Sequence, residues 1–95
     1  MADPDKLKGR LISVYADAPI EHANLDMRRA LMKYICDSIV ESRLSQAEAG
    51  RLLGVTQPRI SNLMRGRVES FSIDSLVNML GRLGTRVAVS FKAGG

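Results

Sequence analysis

The sequence predicts a mainly α-helical bundle of about four or five helices, closed by a C-terminal β-strand that serves dimerisation. Three observations carry that expectation. Apolar residues recur at helical spacing in two long stretches, Ser/Thr caps and glycines punctuate the helices between them, and residues 86–92 switch to strict alternation. Ninety-five residues accommodate one domain. It divides into an N-terminal arm (1–24), a helical body (25–84) and a C-terminal strand with its tail (85–95). A core this small gains from a self-pairing interface.

Residues 1–10 are polar and read as an untethered, mobile terminus. Leu11, Ile12, Val14 and Tyr15 form a short apolar cluster compatible with strand or helix. Ala18-Pro19 and residues 22–24 read as loop, because the residue before a proline avoids helical geometry. A first long helix is expected over residues 25–42. Leu31, Ile35 and Ile39 share one face, Met32, Cys36 and Val40 lie beside them, and Arg29, Lys33, Asp37 and Glu41 recur opposite.

Ser45 opens the second helix, with Glu48 three residues on to complete a capping box. Leu52 and Leu53 end it, and Gly54 supplies a left-handed stop. Thr56 caps a third helix with Pro58 in its first turn, where a missing N–H costs nothing. Ile60, Leu63 and Met64 point inward, and Gly66 ends it. Ser72 caps a fourth helix with Ile73, Leu76, Val77, Leu80 and Leu83 at spacings of three and four, stopped by Gly84. In the final strand Val87, Val89 and Phe91 share one side. A lone strand needs a ladder partner. The favoured partner is the same strand of a second subunit, in an antiparallel ribbon; the competing one is the 11–15 segment.

Two short capped helices separated by Gly54-Val55 constitute a helix-turn-helix pattern. Gly50 falls where the helices cross, and a side chain larger than alanine would push them apart. Ala49, Leu53, Val55, Ile60 and Leu63 supply the shared core. Gln57, Pro58, Ser61, Asn62 and Arg65 form one outward stripe on the third helix. Side-chain amides such as Gln57 and Asn62 suit bidentate base reading in the major groove, and Pro58 suits packing on a thymine methyl. Arg59, Arg65 and Arg67 flank the stripe within reach of phosphates, as do Gln46 and Thr56 at helix N-termini. Charge supports this placement. Residues 1–42 carry six Lys/Arg against seven Asp/Glu, residues 43–67 five arginines against Glu48 alone, and residues 68–95 three bases against two acids. The basic excess is therefore local, as expected of a phosphate-backbone binder.

Other classes find little support. His22 is the sole histidine and Cys36 the sole cysteine, too few for a metal site or an internal disulfide, and no nucleophile–base constellation accompanies them. No enzyme, cofactor or metal is expected, and Cys36 reads as an apolar filler. Four aromatics are too few for a single-strand stacking platform. No apolar run approaches 18 residues and the N-terminus lacks signal-peptide character, so a cytoplasmic, nucleoid-associated protein is expected.

The run LSQAEAGRLLGVTQPRISNLMRGR at 44–67 resembles the lambda-repressor-like (XRE) DNA-binding domain, and more narrowly the HigA-type antitoxins and related regulators. FSIDSLV at 71–77, LGTRVAV at 83–89 and VYAD at 14–17 fit the continuation of that pattern, so the likeness spans roughly residues 13–91. Gly50 departs from the usual alanine, which should weaken the second helix by up to about 1 kcal/mol. The resemblance implies a lambda-repressor-like helical bundle and a homodimeric repressor on a palindromic double-stranded operator. It places base reading at Gln57, Pro58 and Asn62, and phosphate contacts at Gln46, Thr56, Arg59 and Arg65. It also implies a RelE/HigB-like toxin as possible partner, with residues 1–24 the expected toxin surface. The alternative is a mainly protein-binding antitoxin whose DNA binding is secondary.

Overall fold

A computed structural model describes residues 11–16 and 20–91. The element order is β1 (Leu11–Ala16), α1 (Ile20–Glu41), α2 (Gln46–Leu53), α3 (Gln57–Met64), a 3₁₀ turn (Val68–Ser70), α4 (Ile73–Arg82) and β2 (Arg86–Phe91). The chain is thus mainly helical, with four α-helices among the described residues. The terminal segment 1–10 and Lys92, the expected last residue of the tail strand, lie outside them.

α1 starts at Ile20, so residues 22–24 belong to the helix and not to the expected loop. The proline rule restricts only the residue before Pro19; residues beyond a proline are free to be helical. Inside that early stretch Arg28 Nε donates to Asn24 Oδ1 at 2.7 Å, a bond of i,i+4 spacing.

Leu31, Ile35 and Ile39 of α1 pack with Ile60 and Leu63 of α3 and with Phe71, Leu76 and Leu80, all buried. The core stripe is narrower than the apolar pattern suggests. Val40 is 65% exposed, and the buried α1 face includes Ser38 and Ser42 instead. At 100° per residue Val40 stands roughly 150° from the centre of that face. On α4 Met79 is buried, whereas Val77 is 39% exposed. Cys36 is half-buried; its thiol donates to Leu63 O at 3.3 Å, and burial, followed by the Asp37 charge, raises its pKa.

The strand partner is the competing one. β2 pairs with β1 of the same chain, in parallel, from Leu11 opposite Arg86 through Ala16 opposite Phe91. The favoured antiparallel ribbon between subunits does not occupy this edge. β1 leads into α1 and β2 leaves α4, and those two helices pack on each other, which brings the strands to one flank. The helical body between them provides the long crossover that parallel pairing requires. Val87 packs against the core as a half-buried residue. Among the described residues the sheet has two strands, so each keeps one edge outside this ladder.

Candidate nucleic-acid interface

α2 and α3 are held together by local chemistry. Ser45 Oγ accepts the Glu48 N–H at 3.1 Å while Glu48 Oε1 accepts the Ser45 N–H at 2.9 Å. That reciprocal pair satisfies two otherwise orphaned donors at the start of α2. Gly54 adopts φ 74°, ψ 29°, and its N–H bonds Gly50 O, as does that of Val55 at 2.9 Å. Thr56 Oγ1 then accepts the Arg59 N–H at 3.3 Å and starts α3, with Pro58 in the first turn.

The bonds from Ser45 hold the Glu48 carboxyl below its ordinary value of 4.5, the backbone N–H contributing most and the hydroxyl next. A lowered folded-state pKa means stabilisation that is present above the unfolded value and lost as pH falls through the folded one. Glu48→Gln preserves the capping geometry without the titration. It should flatten the acid limb of stability below about pH 4.5, as read by urea denaturation at stepped pH. An unchanged acid limb would remove Glu48 as its source.

Gly50 is under tighter constraint than the sequence indicates. A Cβ there would stand 2.8 Å from Val55 O and 3.5 Å from Gln57 N and Thr56 C. The crossing therefore excludes even a methyl group without backbone movement, and the departure from alanine matches this close approach.

On α3 the buried side is Ile60 and Leu63. Gln57, Pro58 and Arg65 are exposed and Ser61 and Asn62 half-buried, so the five residues form a continuous accessible stripe opposite the core. Gln46, Thr56 and Arg67 are exposed around it. Arg59 is placed differently. Its Nη1 donates to Ser70 O at 2.8 Å, and its guanidinium lies over the Phe71 ring, 4.2 Å from the centroid. That contact ties α3 to the connection leading into α4.

Two arginines that sequence reasoning did not single out meet this unit. Arg28 of α1 bonds Val68 O at 3.1 Å and Phe71 O at 3.4 Å. Arg82 of α4 lies against the turn: a Cβ built on Gly54 would stand 2.9–3.0 Å from its guanidinium atoms. A cation in that position complements the carbonyl end of α2. The only sequence signal for Arg82 is a base in the last turn of α4; nothing local points to Arg28.

Among the described residues the one ion pair is Lys33–Asp37 at 2.7 Å, so Arg65 and Arg67 keep their charge unpaired, while Arg51 acts on the Glu48 carboxyl without an ion-pair contact. Two capped helices at a close glycine crossing, with an exposed polar stripe and unpaired arginines, define a DNA-binding domain. A family model for a helix-turn-helix domain matches residues 14–92, and the chain belongs to that family. The fold, family and charge distribution together are those of a DNA-binding regulator. Comparison with curated proteins gives no match. No helix among the described residues is long and apolar enough to cross a membrane.

Proposed function

We propose that the chain is a sequence-specific transcriptional repressor that reads the major groove with α3 and works by binding, without catalysing a reaction. The observation that carries this reading is the accessible stripe of Gln57, Pro58, Ser61 and Asn62 on a helix whose opposite side is sealed into the core. Gln57 and Asn62 supply amides for base edges, and Pro58 and Ser61 fill the space between them. Gln46, Thr56, Arg65 and Arg67 surround the stripe as phosphate contacts. Arg59 reaches a phosphate only through the part of its guanidinium that Ser70 leaves free.

The working unit is a homodimer on a palindromic operator, with two reading helices about 34 Å apart. We place the contact on β2, whose second edge lies outside the ladder among the described residues, with Val87, Val89 and Phe91 as the residues proposed for it. An antitoxin role beside a RelE/HigB-like toxin is supported by the sequence resemblance of 44–67, 71–77 and 83–89 to HigA-type regulators. Its place is the cytoplasm, on the nucleoid.

Gln57→Ala should lose about 1–3 kcal/mol of discrimination at one base position and relax specificity there. Arg65→Ala should weaken binding to every duplex and lower the salt slope by about one. Titrations of operator and random duplex at several salt concentrations separate the two. Equal losses on both duplexes for Gln57→Ala would rule out base reading by that residue. For the antitoxin role, failure of a co-expressed neighbouring RelE-like product to copurify would remove it.

A further inference from the structure

An open cleft of about 490 Å³ lies where α1, α3 and the start of α4 meet, and its wall includes Asn24, Arg28, Arg59, Glu69, Ser72 and Ser75. Two guanidinium groups from different helices converge on it. Each is fixed by neutral oxygens: Arg28 by Asn24 Oδ1, Val68 O and Phe71 O, Arg59 by Ser70 O. Neither pairs with a carboxylate among the described residues. Glu69 stands on the same wall but outside ion-pair distance of both.

A guanidinium presents five donors in a planar fork. The carbonyl bonds engage Nε and Nη1 of Arg28 and Nη1 of Arg59, which leaves Nη2 of both, and Nε of Arg59, without a protein partner among the described residues. Two like charges held in one concave site repel each other, and an anion between them relieves that repulsion. The free Nε–Nη2 edge of Arg59 matches two oxygens of a phosphate, and Nη2 of Arg28 adds single donors beside it. The first turn of α4 borders the same cleft, with its Ser72–Ser75 box formed and Asp74 in the same turn. Around the α3 axis Arg59 stands roughly 130° from the centre of the reading stripe. A group bound there flanks the groove and does not lie within it.

We infer that this cleft is a phosphate-binding site in which Arg28 and Arg59 clamp a phosphate group, carried by the DNA backbone or by a free phosphorylated ligand. Arg28 and Arg59 also hold the 68–71 connection, so a bound phosphate rigidifies the joint between the reading helix and α4. The backbone source rests on the function proposed above; the free-phosphate source does not.

The arginine Nε–H signals of the full chain in ¹H–¹⁵N spectra provide the test. Inorganic phosphate, then duplex DNA, is titrated against chloride at matched ionic strength. Saturable shifts at Arg28 and Arg59 with inorganic phosphate, weakened about tenfold by Arg28→Gln, identify a free-phosphate site. Shifts with duplex alone, and a salt slope lowered by about one in Arg28→Gln on operator and random duplex alike, identify the backbone as the source. Arg28→Lys keeps the charge and should keep the slope, which guards against a folding defect in the glutamine variant. No shift with either probe overturns the site, as does an Arg28→Gln protein with unaltered phosphate affinity and salt slope. Duplex binding that depends on Gln57 with silent arginine signals would sink the cleft and spare the DNA reading. Phosphate shifts in a chain that binds no duplex would do the reverse.

Discussion

Phe71→Ala should lower stability by about 3–5 kcal/mol, the cost of deleting a buried aromatic ring and leaving a cavity. Phe71 is 2% exposed and ranks among the largest fully buried side chains. Its ring also carries the Arg59 guanidinium at 4.2 Å, and its carbonyl accepts from Arg28 at 3.4 Å. Truncation therefore empties the junction of α1, α3 and α4 and frees the arginine that joins the reading helix to it. Small domains have only about 5–15 kcal/mol in total, so the variant should be close to unfolding at physiological temperature. Phe71→Leu keeps much of the volume but not the ring, and should lose about 1–2 kcal/mol. Urea denaturation, with a lower midpoint and unchanged slope, measures both. A loss below about 1 kcal/mol for the alanine variant would show that the junction closes over the gap.

Gly50→Val should cost about 3 kcal/mol, the upper end of the range for overpacking, and should weaken DNA binding as well. The first added carbon meets a backbone oxygen, Val55 O, at 2.8 Å, and a backbone atom cannot rotate away as a side chain can. Relief requires moving α2 from the start of α3, the end of the helix that carries Gln57. Alanine at position 50 decides between two opposed effects. Helix propensity favours it by up to about 1 kcal/mol, whereas the contact with Val55 O opposes it. We expect a net loss of about 1–2 kcal/mol. Gly81 in α4 is the control, because a Cβ there has nothing within 4 Å. Gly81→Ala should stabilise by about 0.5–1 kcal/mol. If both alanines stabilise, the close crossing is not a constraint.

Features set by neighbours in sequence were legible before the structure. The Ser45–Glu48 box, the left-handed Gly54 and the Thr56 cap came from residue types at fixed offsets, and all three occur. So did the inward Ile60 and Leu63, because helical periodicity alone separates them from Gln57 and Asn62. The Ser72–Ser75 box went half unseen, since Ser75 does not match the Glu/Gln pattern at that position. The exposure of Val40 and Val77 was not legible, for another reason. An apolar residue permits burial but does not require it; the width of the buried face depends on what packs against it.

The sequence by itself determined the capped helix pair, the composition of its outward stripe and the local concentration of arginine, because each depends on spacings of a few residues. Only the tertiary structure decided which arginines remain free and which are bound. Arg28 and the carbonyl of Val68 are 40 residues apart, and Arg82 lies over a turn 28 positions earlier in the chain. It also decided that β2 pairs in parallel with β1. Hydrogen-bonding groups on a strand edge are alike whichever chain supplies the neighbour. The choice within this chain comes from the packing of α1 on α4, which sets where the two strands emerge.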